Sequence, residues 1–174
     1  MHPVTVSETI GKPREEIFEY LADIANHAEF TDHYLKDFRL TRENSYGLGA
    51  GARFKLKARG NRFPWGDATF SEVKAPERIV ERGRGGKFNR VQTIGTYELE
   101  ALSSSSTRVS FTFESNPPKI TDKFLESLGA RSYIKRQNGK AMRRLRAILE
   151  DDELRGKRAT VAGGARKAAS QYRF

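Results

Sequence analysis

At 174 residues and 19.7 kDa, the chain is long enough for one domain with a sizeable core and short for two. It contains no cysteine, which excludes disulfides, thiolate metal sites and cysteine nucleophiles together. The formal net charge of +10 suits nucleic acid, anionic lipid or an acidic ligand, but it serves equally as a solubility device and excludes none of them. Hydrophobic content of 37% is low for a globule, yet 11 Phe and 6 Tyr supply large side chains for a sheet to bury. The opening MHPVTVSETIGK lacks the apolar run of a signal peptide, and no stretch reaches the length of a membrane span, so a cytoplasmic protein is expected.

Val4 and Val6 alternate with polar residues as in a half-buried strand that ends at Gly11-Lys12-Pro13. Pro13 suits a first helical turn, where its missing N–H would have had no partner, and Glu15 and Glu16 lie where the helix dipole favours acids. Ile17, Phe18, Leu21 and Ile24 recur at spacings of three and four, the core stripe of an amphipathic helix. Asn26-His27 reads as a cap opening a short second helix through Thr31.

From Leu35 to Glu114 the pattern is that of strands. Leu35–Arg42 alternates imperfectly, and the glycines of SYGLGAG (45–51) supply a hairpin loop. In the next strand Phe54, Leu56 and Ala58 point one way while Arg53, Lys55, Lys57 and Arg59 point the other. PWGDATFSEVK leads to a turn at Ala75-Pro76-Glu77 and a short RIVER strand broken by Gly83, Gly85 and Gly86. Phe88–Leu99 is the next strand, Ser103–Ser106 a hairpin tip, and TRVSFTFE the last strand, with Val109, Phe111 and Phe113 inward. A helical pattern follows Pro117-Pro118 and runs to Glu150, interrupted by Gly129 and Gly139, which suggest a bend, a close backbone approach or a break near Gly129. Residues 151–174 carry six Lys/Arg against three Asp/Glu. They read as a basic flexible C-terminal tail on a domain spanning 1–150.

The stretches VTVSETIGKPREEIFEYLADIANHAEFT, VKAPERIVER, GTYELEALSSSSTRVSFTFE and MRRLRAILE, in this order over roughly residues 3–150, resemble the START-like SRPBCC superfamily, in particular its bacterial polyketide cyclase/dehydrase branch. The resemblance implies an α+β helix-grip fold: a curved antiparallel sheet of about seven strands around a long C-terminal helix, with two short helices after the first strand. It further implies an internal apolar cavity for a lipid, a polyketide or a similar hydrophobic molecule, held by a carrier, a sensor or a cyclase/dehydratase. The superfamily has no single catalytic signature, so the resemblance assigns no catalytic residue, and no cofactor or metal is expected.

A cavity between sheet and helix selects as ligand-binding candidates Phe54, Leu56, Trp65, Thr93, Tyr97, Phe111 and Phe113 from the strands and Phe124, Leu128 and Tyr133 from the helix, although an aromatic stripe is also what a plain core looks like. Asp67 and Arg90 are the polar candidates. An inward Trp65 carries Asp67 inward with it, whereas Ala68 and Phe70 make an equally good inner face. His2, His27 and His33 are too irregularly spaced for a metal pair and read as capping or surface residues. Gly47, Gly49 and Gly51 lack the following helix of a phosphate loop. The alternative function is a basic module for nucleic acid or an anionic membrane, built on Arg53, Lys55, Lys57 and Arg59 with Arg143, Arg144 and Arg146 of the final helix. Against nucleic acid, the aromatic residues alternate to the opposite face.

Overall fold

The structure, a computed structural model, describes residues 2–58, 62–117, 130–151 and 158–161. Strand β1 (Val4–Ile10) leads through Pro13 into helix α1 (Arg14–Ala22), a 3-10 turn (Ile24–Asn26) and helix α2 (His27–Thr31). Strands β2 (Leu35–Leu40), β3 (Gly51–Leu56), β4 (Trp65–Lys74), β5 (Arg78–Gly85), β6 (Val91–Ser103) and β7 (Ser106–Asn116) follow, and helix α3 (Ala130–Asp151) closes the described order. The strands form one antiparallel sheet in the order β1-β7-β6-β5-β4-β3-β2. Every neighbour but the β1–β7 pair is also a sequence neighbour, so tight hairpins and short turns build most of it.

Bulges between Lys36 and Arg39 and between Phe70 and Glu72 insert extra residues that bend their strands, and the sheet curls into a half-barrel. Helix α3 lies in its concave side, packed on β1 and α2. Ala141, Met142, Leu145, Ile148 and Leu149 give α3 one buried stripe, which meets Ile10, Ile79, Leu99 and Val109 of the sheet and Ile17, Phe18 and Leu21 of α1 in one core. Burying each of these large side chains contributes about 1.5–3 kcal/mol.

Several details differ from expectation. Strand β5 continues through Gly83 to Gly85, because Gly83 lets the β4 backbone approach: a Cβ there would fall on the Asp67 carbonyl oxygen. A 3-10 turn at Lys87–Asn89 delays β6 to Val91. Helix α3 is continuous through Gly139, where an added Cβ would meet only the Arg143 guanidinium at 3.6 Å, so that glycine marks neither a break nor a tight contact. The first part of the anticipated helical pattern, residues 118–129 with Gly129, lies outside the described residues.

Residues 158–161 of the basic C-terminal segment lie against the domain. The Ala159 N–H donates to the Ala25 carbonyl and the Leu40 N–H to the Thr160 carbonyl, both at 3.0 Å, while Arg158 pairs with Asp23. Among the described residues no helix is long and apolar enough to cross a membrane, and no group of His, Asp and Glu is arranged to hold a metal ion.

Candidate functional site

Strand register decides which side chains reach the concave face. Ala52 pairs with Ala68 and Phe54 with Gly66; Ala52 and Phe70 belong to the core, so Phe54, Gly66, Ala68 and Phe70 point inward. By the same pairing Arg53, Lys55, Trp65 and Asp67 point outward. On β5 and β6 the inward set is Ile79, Glu81 and Gly83 against Tyr97, Gly95 and Thr93, and β7 adds Phe111 and Phe113 opposite Tyr97 and Gly95.

The concave face divides into two regions. Where the C-terminal half of α3 covers it, Ile10, Ile79 and Val109 are fully buried. Toward the N-terminal half of α3, the inward residues Leu56, Phe54, Gly66, Glu81, Gly83, Thr93 and Phe113 are only half-buried. Glycines, threonine and a carboxylate occupy places that large apolar groups fill elsewhere, and this half-buried end of the concave face is called the basin below. Tyr133 ties α3 to the rim by donating its hydroxyl to the Lys57 carbonyl. Beside it, His33, Lys57, Ala58, Tyr133 and Gln137 surround an open depression of about 400 Å³.

Glu81 sits inside this basin, between its cross-strand neighbours Phe70 and Gly95. Gly95 makes the seat: a Cβ there would stand 2.7 Å from the Glu81 Cγ. Desolvation by the surrounding sheet pushes the Glu81 carboxyl up from 4.5 to about 7, because an apolar environment disfavours the charged form. Its field also helps to raise the pKa values of Tyr34 and Tyr97, which burial moves in the same direction. The residue as a whole retains some exposure, which fits a carboxyl group standing in a recess.

A polar cluster borders the basin. The Tyr34 hydroxyl donates to Asn138 Oδ1 of α3 at 3.0 Å. Asn138 is 3% exposed, and its Nδ2 has no hydrogen-bond partner among the described residues. His27 is buried against Phe30, Phe70 and Tyr97 and donates Nε2–H to the Leu21 carbonyl at 2.9 Å, which fixes the neutral tautomer. Burial lowers its pKa to about 4. The expectation of a capping or surface role for His27 is therefore corrected: it is a core residue, since the α2 turn aims its ring inward.

Of the candidates read from the sequence, Phe54, Leu56, Thr93, Tyr97, Phe111 and Phe113 share the concave face, with Tyr97 and Phe111 deep in the core. Tyr133 stands at the rim. Trp65 and Asp67 lie on the convex face; Asp67 Oδ1 accepts the Arg84 N–H at 2.9 Å, and Arg39, Arg53 and Lys55 stand 5.4, 4.8 and 4.7 Å from the centre of the Trp65 ring. Arg90 is half-buried at the end of the turn before β6. Phe124 and Leu128 fall outside the described residues. Sequence reasoning does not reach Glu81, Tyr34 or Asn138. The signal for Glu81 is present in Ile79-x-Glu81-x-Gly83, whose alternation runs against the adjacent apolar Val80.

The model of the family described as Activator of Hsp90 ATPase homolog 1-like protein matches residues 12–150. No curated protein matches the chain. Among solved structures, KanY is similar at 14% identity and a TM-score of 0.67, over 84% of this chain and 96% of that one. The major latex-like protein 151 of Panax ginseng is similar at 10% identity and 0.64, over 83% and 95%, and TTHA0849 of Thermus thermophilus at 12% and 0.64, over 87% and 99%. At these identities the structures establish a shared helix-grip fold, and the family match accounts for the motif order seen in the sequence. The chain belongs to the Activator of Hsp90 ATPase homolog 1-like family, within the START-like SRPBCC superfamily.

Proposed function

We propose that the protein holds a hydrophobic small molecule, such as a lipid or a polyketide, in the basin between the concave sheet face and α3, as a carrier or sensor of the cytoplasm. The fold is one that typically binds hydrophobic ligands. The observation that carries the reading is the half-buried floor of Phe54, Leu56, Thr93 and Phe113: inward apolar residues left partly uncovered in a sheet whose other end is fully packed. Glu81 gives that floor one polar point, and cyclase or dehydratase chemistry would start from that group rather than from a pre-aligned nucleophile and base.

Native mass spectrometry of protein purified from its own host, with organic extraction, tests this directly. A co-purifying apolar molecule supports the reading. Absence of any such molecule, together with no binding of anilinonaphthalene sulfonate and no thermal shift across a panel of hydrophobes, refutes it. Thr93→Trp, which fills the basin from β6, should abolish binding while leaving the circular dichroism spectrum native.

A second reading is favoured by Trp65, which stands on the cationic convex face with Arg39, Arg53 and Lys55 around its ring. The aromatic partner that single-strand binding needs is thus on the same face as the cations. Trp65 is the only tryptophan, so quenching of its fluorescence by a single-stranded oligonucleotide at physiological salt tests this reading, and unchanged emission counts against it.

A further inference from the structure

Among the described residues the inward acid of the basin has no counter-ion, in a chain rich in cations. Elsewhere carboxylates find partners: Asp23 with Arg158, Asp32 with Arg144, Asp37 with Lys55, Glu77 with Lys74, Glu100 with Arg108 and Glu150 with Arg146. Glu81 has none among the described residues, and strand geometry explains this. Its chain neighbours Arg78, Arg82 and Arg84 alternate to the other face of β5 or lie at its end, and its cross-strand neighbours are Phe70 and Gly95.

The groups around it are neutral. Tyr34 and Tyr97 keep their protons, because burial and the Glu81 carboxylate both oppose ionisation. His27, which packs on Phe70 and Tyr97, is held uncharged. Asn138 contributes from α3 an amide whose Nδ2 has no acceptor among the described residues. A buried polar atom without a partner is destabilising, and an unpaired carboxylate in an apolar recess is more so. The cost at Glu81 falls when a ligand brings a cationic donor to its carboxylate.

We infer that the basin takes an apolar molecule bearing a protonated amine, which pairs with the Glu81 carboxylate. This rests on the proposed function and names the ligand class of the same site. A ligand ammonium supplies the missing positive charge, and desolvation that penalises each ion alone strengthens the pair once both are inside. When the amine binds near neutral pH, Glu81 gives up its proton to buffer, and the ligand nitrogen keeps its own. Gly95 is then a specificity determinant, since any side chain there would displace the carboxylate.

The test uses the full chain with dodecylamine and dodecanol as matched probes, below their aggregation concentrations, by isothermal titration calorimetry. At about pH 8 the amine should bind the native protein at least about ten-fold more tightly than the alcohol, the range expected for a charged hydrogen bond. Near neutral pH the amine's binding heat should change with the ionisation enthalpy of the buffer, which reports the released proton, while the alcohol's should not. Glu81→Gln should abolish both the preference and the buffer dependence, so that the two probes bind with similar affinity. Equal binding of the two probes, or a preference that survives Glu81→Gln, overturns the inference and leaves the hydrophobic-ligand reading standing. If neither probe binds and anilinonaphthalene sulfonate also fails, both readings fall.

Discussion

Glu81→Gln should expose a pH dependence of stability that the native chain conceals. Glu81 titrates at about 7 in the folded protein against an ordinary 4.5. A raised carboxyl contributes stability that is fully present below the unfolded value and is lost as pH rises through the folded one; the whole displacement corresponds to about 3 kcal/mol. His27 works in the opposite sense. Its pKa falls from 6.5 to about 4, so its contribution is present above 6.5 and is lost as pH falls through 4, again by about 3 kcal/mol.

Between 4.5 and 6.5 the folded state carries one proton more than the unfolded state on Glu81 and one fewer on His27. Each imbalance alone gives a slope of about 1.4 kcal/mol per pH unit, and together they cancel. The contribution of this pair to native stability should therefore be nearly flat across that window. In Glu81→Gln only the His27 slope remains, and at about pH 8 the variant should exceed the native protein by up to about 3 kcal/mol, less the cost of burying the amide. Urea unfolding followed by circular dichroism, with both proteins measured across the range, reads the difference directly. A stability difference between the two that stays constant with pH would refute the reasoning, because it would mean that the Glu81 carboxyl ionises in the folded protein as it does in water.

Other substitutions probe the surroundings of the basin. Gly83→Ala places a methyl group on the Asp67 carbonyl oxygen and should lower stability by about 2 kcal/mol or more by forcing β4 and β5 apart, read as a lower urea midpoint; an unchanged midpoint would mean that the strands yield freely. Tyr34→Phe removes the donor to Asn138 Oδ1, leaving a buried amide without a partner among the described residues at a cost of about 1–3 kcal/mol. Adding Asn138→Leu should recover much of that loss, and a double-mutant cycle showing simple additivity would contradict the coupling. Arg158→Ala should cost less than about 1 kcal/mol, since the guanidinium is mostly exposed. Truncation after Asp151 should instead accelerate hydrogen exchange at the Leu40 amide, which loses its Thr160 acceptor.

Alternation along β3 and β7, spacing in α1, and turn residues at Gly47, Gly49 and Ser103–Ser106 are local properties, and they are enough to order the strands and helices and to place Phe54, Leu56, Phe111 and Phe113 on one face. The same alternation cannot say which face of β4 is inner, because Trp65 and Asp67 on one side and Ala68 and Phe70 on the other are both compatible with burial. Pairing of Ala52 with Ala68 decides it, and a pairing partner in another strand leaves no mark within the strand itself. Glu81 illustrates the same limit. Its charge suggests solvent, and only the glycine across the ladder and the curvature of the sheet turn it toward the basin. His27 and Asn138 likewise acquire their roles from what packs on them. The sequence by itself determined the architecture, since period and punctuation act within a few residues. The tertiary structure alone decided the chemistry of the basin, since desolvation and missing partners are properties of the space between elements.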